Sequence, residues 1–342
     1  MRNLLLDVAI APNALDKLRQ LPQLTLHQVE SSHGAPRAPE LLRQIHILVC
    51  KRPPQNFEDL TALELLQLAT VGYEHLAHLK LAARPFGVCN ARGIFDTAIA
   101  EWNVAMMVNL TRDFRGMMCQ QEQSVWHRAG IFQQEIRGKT VGLWGYGGLG
   151  RETARVAKAL GMIVFALTRS GVRPRLDDFT LPGTGDPEGK LPDRVFVAGQ
   201  EREFLSALDF LILALPHTER TSGLIGETEL RALPRTAFVL NPARGPIIQE
   251  QALLKALREG WIAGAALDTH YHYPMPADHP LWEFPSVIMT PHISGGDYSA
   301  AFPDRMGQLA VENVTRFLAG RPLLNVVSKS DLHEASVPQK FW

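Results

Sequence analysis

The chain reads as an α/β protein organised on parallel sheet, for three reasons. Short apolar runs alternate with helical stretches along most of its 342 residues, as strands buried on both faces do when helices connect them. Most of those runs end in a polar or proline-containing break, at the end of an open sheet where ligands collect. One run, with Val141, Leu143 and Trp144, passes directly into Gly145, Gly147 and Gly150 on a G-x-G-x-x-G spacing. Residues 151–160 then put Ala154, Val156, Ala157 and Leu160 on one helical stripe.

Strand, glycine turn and helix in that order are a dinucleotide-binding signature. Gly145 permits the tight turn and Gly147 lets a pyrophosphate reach the backbone. Gly150 lets helix and strand pack closely, with the helix N-terminus facing the phosphate charge. Tyr146, Gly148 and Leu149 complete the turn. Residues 162–167 form the next strand, and a site for NAD carries Asp or Glu at its end to bind the ribose 2′-hydroxyl. Here that place holds Thr168, Arg169 and Ser170. A carboxylate would repel a 2′-phosphate, whereas a hydroxyl and a guanidinium bind it through charge-assisted hydrogen bonds. The expected cofactor is therefore NADP, with NAD the alternative.

Composition bounds the rest. The chain is 46% hydrophobic and 20% charged, and is long enough for two domains with their own cores. Its 35 basic and 35 acidic residues balance, which argues against a nucleic-acid or anionic-membrane partner. Cys50, Cys89 and Cys119 are scattered, odd in number and without C-x-x-C spacing, so neither a disulfide framework nor a metal site is expected. The opening residues MRNLLLDVAI are too short an apolar run for a signal peptide, and no stretch of about 18 apolar residues occurs. A cytoplasmic protein is expected.

Taken in order, residues 3–10 read as a strand, 12–21 as a helix and 45–50 as a buried strand followed by Lys51, Arg52 and two prolines. Runs at 65–71 and 87–90 complete a first, smaller α/β block without a glycine fingerprint. One long helix is expected over 98–123, with Ala100, Val104, Met107, Val108, Leu110 and Phe114 apolar. Met106, Met107, Met117 and Met118 would fill a core or a dimer interface. After the nucleotide unit, residues 171–194 are rich in Pro, Gly and Asp and read as a long irregular loop. Its Arg173 and Arg175 stand beside the expected 2′-phosphate position, as further anion ligands or as solvated loop arginines. Runs at 211–215, 237–240, 263–267 and 287–289 follow. Their breaks are Pro216-His217-Thr218, residues 241–245, Asp268-Thr269-His270 and Thr290-Pro291-His292. A last helix over 305–318 carries Met306, Leu309, Ala310, Asn313 and Phe317 along one face.

These breaks, in this order, resemble the D-isomer-specific 2-hydroxyacid dehydrogenase family, and within it the glyoxylate/hydroxypyruvate reductases. The likeness is carried by GYGGLG at 145–150, NPARGPIIQEQAL at 241–253, GAALD at 264–268 and PLWEFPSVIMTPHISG at 280–295. Weaker matches are ARGIFDTAIAEW at 91–102, LPHTERTSGLIG at 215–226 and the FLAGRPLLNVV near the C-terminus. The resemblance implies a Rossmann dinucleotide-binding domain, 99–296, inserted in a smaller flavodoxin-like α/β substrate domain made of 1–98 and 297–342. It also implies an active site in the cleft between them and a homodimer formed through the long helix.

The implied reaction interconverts a small 2-hydroxy acid and a 2-oxo acid, so the partner is a small anionic substrate. Arg244 matches the arginine that holds the substrate carboxylate and polarises the carbonyl, a task suited to its fork of N–H donors. His292 matches the acid–base histidine that gives or takes the hydroxyl proton as hydride moves. Asp268 matches the aspartate near the nicotinamide carboxamide, with Pro216 and Ala243 also on the cofactor. The backbone amides around Val71 and Gly72 match the loop that binds the substrate carboxylate, and Arg52 is a further substrate-side cation. His217, His270 and His272 read as incidental.

One position departs from the family pattern. The histidine's usual partner is a glutamate five residues after the aspartate and just before a proline. Here that residue is Tyr273, followed by Pro274, while PMPADHPLW keeps the spacing. A carboxylate beside His292 would favour its protonated form, and a phenol brings no charge. Three consequences stay open. His292 works alone, better suited to accepting a proton; or Tyr273 hydrogen-bonds the substrate or the imidazole; or the chain is a dinucleotide-binding regulator or scaffold, like the family's C-terminal-binding-protein branch. Lys51, Arg52 and the THYHYP segment also leave open a phosphorus-containing anion as substrate, as in the phosphite dehydrogenase branch.

Overall fold

The computed structural model describes residues 1–31, 34–128, 133–175, 178–296 and 298–334. The chain begins β1 (Arg2–Asp7), α1 (Pro12–Arg19), β2 (Leu24–Gln28), α2 (Pro39–Leu42), β3 (Ile47–Cys50), β4 (Leu65–Leu68) and β5 (Gly87–Cys89). It continues α3 (Asp96–Arg112), α4 (Phe114–Glu122), β6 (Thr140–Trp144), α5 (Gly148–Ala159), β7 (Ile163–Thr168), β8 (Arg194–Val197), α6 (Glu201–Leu205) and β9 (Phe210–Leu213). It ends α7 (Glu227–Ala232), β10 (Phe238–Asn241), α8 (Glu250–Arg258), β11 (Gly264–Leu267), β12 (Val287–Met289), α9 (Ala301–Leu318) and α10 (Lys329–Glu334). These elements divide into two units. The first takes in Met1–Phe95, α9, α10 and a short piece of the 171–194 loop around Phe179; the second is the stretch from Asp96 to Gly296 apart from that piece.

In the first unit β3 reads Ile-Leu-Val-Cys with all four residues buried. A strand wet on one face would alternate, so both faces of this sheet are covered. The strands run in the order β2-β1-β3-β4-β5, all parallel, which is the flavodoxin-like order. Leu4, Leu6 and Val49 pack on one side with Met306 and Leu309 of α9, and Leu5, Leu48 and Leu66 on the other. Helix α9 comes close to α1 at Gly307, where a Cβ would lie 2.5 Å from that of Ala14. Asn313, the one amide on the apolar stripe, donates through Nδ2 to Gln67 Oε1 (2.7 Å) and to the Leu324 carbonyl (3.0 Å). Its burial therefore leaves no donor orphaned.

The second unit is a seven-stranded parallel sheet, β12-β11-β10-β9-β6-β7-β8. Chain order reverses between β6 and β9, and the Gly145–Gly150 turn leaves β6 at that point. Such a switch is where an open sheet leaves a crevice for a ligand. Val141, Leu143, Val164 and Ile212 fill one face, while Trp144, Leu167, Leu213 and Val239 fill the other. Between α3 and α5 the buried Asn103 donates to Thr153 Oγ1 at 3.1 Å.

Several expectations need correction. The single helix expected over 98–123 breaks at Asp113, which takes a left-handed φ of 51° and accepts the Gly116 N–H on its side chain, so it caps a second helix, α4. A short acidic side chain that bonds its own backbone is well suited to such a position. Strands β2 and β8 were not anticipated; both are sheet edges, where a weak apolar pattern suffices. Helix α5 starts at Gly148, inside the fingerprint, and α9 starts at Ala301 with Pro303 in its first turn, where no intrahelical N–H is needed. No helix among the described residues is long and apolar enough to cross a membrane.

Candidate active site

The glycine turn has the shape its spacing demands. Gly145 has φ +102°, and a Cβ there would lie 2.4 Å from the Ala214 carbonyl; one on Gly150 would lie 2.5 Å from the Gly145 carbonyl. Gly147 is different. It caps α5 in an extended conformation, and the nearest atom to its missing Cβ is the Arg175 Nη1 at 3.6 Å. Backbone walls therefore enforce the first and third glycines, while the second faces an open cradle bounded by one cation. That suits a pyrophosphate at the helix N-terminus. The Tyr146 side chain is buried and donates to Asp186 Oδ2 at 2.7 Å.

At the end of β7 the Thr168 hydroxyl is buried and has no hydrogen-bond partner among the described residues, an unfilled position that a ribose phosphate oxygen would complete. Arg169 and Ser170 beside it are exposed. Both ends of the site thus fit a phosphorylated dinucleotide.

The loop after Ser170 is irregular but built. Arg151, 5% exposed, donates to the carbonyls of Asp186 and Arg173, and the Asp186 carboxylate accepts the N–H groups of Lys190 and Leu191. Burial pushes the Asp186 carboxyl up, but the Leu191 N–H, the Tyr146 hydroxyl and the Lys190 N–H outweigh it and hold it below the ordinary carboxylate value. Burial above all pushes the Tyr146 phenol up. The Arg175 N–H donates to the Pro187 carbonyl at 2.8 Å, which carries its guanidinium to Gly147.

The breaks after β10, β11 and β12 assemble around His270. Gly245 packs so closely that a Cβ there would lie 2.4 Å from the His270 carbonyl, and Asn241 Nδ2 holds the Arg244 carbonyl at 2.8 Å. Arg244 Nη1 donates to the Ala243 carbonyl at 2.7 Å. The His270 ring bonds the Thr290 carbonyl through Nε2 at 2.8 Å, and its N–H reaches Tyr273 Oη at 3.2 Å. Tyr273 Oη in turn lies 3.0 Å from His292 Nδ1. His270 therefore braces the site. Nothing in its sequence context marked it, because its role depends on three loops meeting.

His292 itself has φ +57°, a conformation uncommon for a residue with a side chain. It is held there by the fully buried Asp268, whose oxygens accept Thr290 Oγ1 (2.5 Å) and the N–H groups of Ile293 and Ser294 (2.9 Å each). Trp102 Nε1 donates to the same threonine hydroxyl at 3.1 Å. Asp268 thus fixes the loop that carries His292. Pro216 is tied by its carbonyl to Thr221 Oγ1 at 2.7 Å.

In the first unit the Val71 carbonyl is held by Asn90 Nδ2 and the Gly72 carbonyl by Thr70 Oγ1, each at 2.9 Å. No described residue accepts a hydrogen bond from either amide N–H. Next to the partly exposed Arg52, the Lys51 ammonium lies 5.8 Å from the centre of the Tyr298 ring.

Glu250, His272 and His279 are the one group of ligating side chains among the described residues gathered closely enough to hold a metal ion. The buried His279 is committed otherwise. Its Nδ1 accepts the Leu281 N–H, so its proton sits on Nε2 and is given to Glu250 Oε1 at 2.6 Å, which leaves no ring lone pair for a metal.

A doubly wound sheet with an open glycine cradle at its switch point places the chain among the NAD(P)-dependent oxidoreductases. Residues 104–294 match the D-isomer specific 2-hydroxyacid dehydrogenase NAD binding domain. The chain is 29% identical over 329 residues to the glyoxylate reductase of Thermofilum pendens, covering 93% of this chain and 92% of that protein. It is 32% identical over 275 residues to the glyoxylate reductase of Aeropyrum pernix, covering 78% and 77%. Its fold is similar to that of a D-isomer specific 2-hydroxyacid dehydrogenase from Xanthobacter autotrophicus solved with NADPH and MES, with a TM-score of 0.75, 26% identity and coverage of 97% and 99%. The chain belongs to the D-isomer specific 2-hydroxyacid dehydrogenase family, and it interconverts 2-hydroxy and 2-oxo acids with a nicotinamide dinucleotide.

Proposed function

We propose that this chain is an NADP-preferring reductase of a small 2-oxo acid such as glyoxylate. The observation that carries the reading is the bracing of His292, whose strained backbone is held by Asp268 and whose ring is held by Tyr273. Backbone strain of this kind persists only where surrounding contacts over-determine it, and it clusters at working sites. The relatives' activity on glyoxylate and the NADPH bound to a structural neighbour support the substrate and the cofactor.

When bound, the dinucleotide would supply hydride to the substrate carbonyl carbon. Everything else falls to protein residues. His292 gives the proton to the oxygen, and Arg244 holds the carboxylate and polarises the carbonyl. The Val71 and Gly72 amides are read as further carboxylate donors, supported by their lack of an acceptor among the described residues, with Arg52 beside them in role. Gly145, Gly147, Gly150 and the backbone of Tyr146, Gly148 and Leu149 would hold the pyrophosphate, with Arg175 over Gly147. Thr168, Arg169 and Ser170 would take the 2′-phosphate, and Pro216, Ala243 and Asp268 line the nicotinamide end.

The hydrogen bond between Tyr273 and His292 favours the enzyme over the regulator reading, since the acid–base residue keeps a partner. Residues 99–296 would carry the cofactor together with Arg244 and His292, and the Val71, Gly72 and Arg52 contribution would come from residues 1–98. A homodimer is part of the reading. Helix α4 has no buried residue and exposes Phe114, Met117 and Met118, and Trp126 after it is 90% exposed; apolar surface of this kind is normally covered. A cytoplasmic location is supported by three unpaired cysteines.

A panel of glyoxylate, hydroxypyruvate, pyruvate and longer 2-oxo acids, assayed with NADPH and NADH, tests the proposal. Turnover of a short 2-oxo acid, faster with NADPH, is expected. Tight dinucleotide binding without turnover of any acid would move the assignment to a regulator.

A further inference from the structure

We infer that Asn90 and Thr70 are positioning residues for the substrate carboxylate, holding the two peptide groups that flank Gly72 so that the Val71 and Gly72 amides meet the anion ready aimed. The inference rests on the reading of those amides as carboxylate donors. Its ground is a set of hydrogen bonds lying wholly within the first unit. The Thr70 carbonyl accepts the Ala91 N–H, the Val71 carbonyl accepts Asn90 Nδ2 and the Gly72 carbonyl accepts Thr70 Oγ1, each at 2.9 Å.

A peptide group is planar and trans, so its N–H points opposite to its C=O. Two carbonyls fixed on residues 90 and 91 therefore turn the Val71 and Gly72 N–H groups away from that segment. Glycine would otherwise leave the loop loose, since it restrains neither of its own dihedrals. With the peptide before it held by Asn90 and the one after it by Thr70, Gly72 has a single conformation. A carbonyl that accepts a hydrogen bond also polarises its peptide group, which makes the N–H across it a better donor to an anion.

Asn90 is itself fixed on every side. Its Oδ1 accepts the Arg92 N–H at 3.4 Å; that N–H can only donate and the Val71 carbonyl can only accept, so the amide has one orientation. Its backbone N–H donates to the Asn325 carbonyl at 3.1 Å, and its carbonyl accepts Gln67 Nε2 and Asn325 Nδ2 at 3.2 Å each. Gln67 is bonded in turn to Asn313 of α9. Gln67, Asn90, Asn313 and Asn325 are all at most 4% exposed. Buried amides are costly unless each is satisfied, and these four form one chain of contacts from α9 to the Val71 carbonyl. An apolar residue at position 90 would fill the same space and leave the Val71 peptide group free to rotate.

NMR can watch this one peptide group. With carbon-13 at the valine carbonyl and nitrogen-15 in glycine, only Val71–Gly72 and Val141–Gly142 give a coupled signal, since no other valine precedes a glycine. In the NADPH-bound protein, oxamate, which carries the carboxylate but is not reduced, is expected to move the Gly72 N–H signal. In Asn90→Leu the same shift should need about 10- to 100-fold more oxamate, the worth of one hydrogen bond to a charged group. In turnover, KM for glyoxylate should rise by the same factor with kcat and KM for NADPH little changed, because the carboxylate is held alike before and during hydride transfer. Thr70→Val should raise KM for glyoxylate about 3- to 10-fold, and Thr70→Ser, which keeps the hydroxyl, should restore it. An unchanged KM and oxamate midpoint in whichever of Asn90→Leu and Thr70→Val folds, or a fall in kcat or melting temperature alone, overturns the positioning role and leaves the carboxylate reading standing. No movement of the Gly72 signal in the unaltered protein overturns that reading instead.

Discussion

The Arg175 guanidinium lies 3.6 Å from the point where a side chain on Gly147 would begin. In the cofactor site proposed above, that assigns it to the pyrophosphate, whereas Thr168, Arg169 and Ser170 are proposed to take the 2′-phosphate. The two arginines should therefore fail differently. Arg175→Ala is expected to weaken NADPH and NADH alike, on the order of 10- to 100-fold, the worth of one charge-assisted contact. Arg169→Ala is expected to weaken NADPH by a similar factor and NADH little. Fluorescence titration with both dinucleotides checks this, and equal losses in Arg169→Ala would discard the 2′-phosphate assignment.

The glycines of the turn should separate folding from binding. An alanine at Gly150 would push its Cβ into the Gly145 carbonyl at 2.5 Å, and backbone cannot give way as a side chain can. A loss of about 1–3 kcal/mol is expected, as for overpacking. An alanine at Gly147 meets only the tip of Arg175, so stability should hold while dinucleotide affinity falls at least about tenfold, since the Cβ takes the space the phosphate needs. Calorimetry of both variants without cofactor reads the difference; a destabilised Gly147→Ala would show that the cradle is not open.

Asp268 gathers three donors in a fully buried position. Asn in its place turns an N–H₂ toward at least one of them, and a buried unsatisfied donor costs about 1–3 kcal/mol. The loop should loosen, with faster hydrogen exchange at the Ile293 and Ser294 amides and a fall in kcat. Unchanged exchange at those two amides would remove Asp268 from its bracing role.

The Asp186 carboxyl gives the loop over the fingerprint an acid limit. Its folded value is lowered, so its contribution to stability is complete above the unfolded carboxyl value, about 3.9, and is lost as pH falls through the folded value. Below about pH 4, dinucleotide-free protein should lose thermal stability more steeply than Asp186→Asn, which cannot titrate there. Parallel pH profiles would exclude this residue.

Much of this site was legible in the residues alone, and the reason is local. Gly145, Gly147 and Gly150 act through φ and Cβ volume over six positions, and Thr168, Arg169 and Ser170 follow the strand that presents them. The division into parallel strands with Arg244 and His292 in the breaks likewise follows from short apolar runs. The break at Asp113 was less visible, because a capping bond to Gly116 competes with a helical pattern that continues across it. Only tertiary structure decided that His270 would join the Arg244, Tyr273 and His292 loops, that the phenol of Tyr273 would meet Nδ1, and that a loop arginine would close over Gly147. Those contacts depend on how separate chain ends converge at the edge of one sheet, and no spacing along the chain encodes a distance across it.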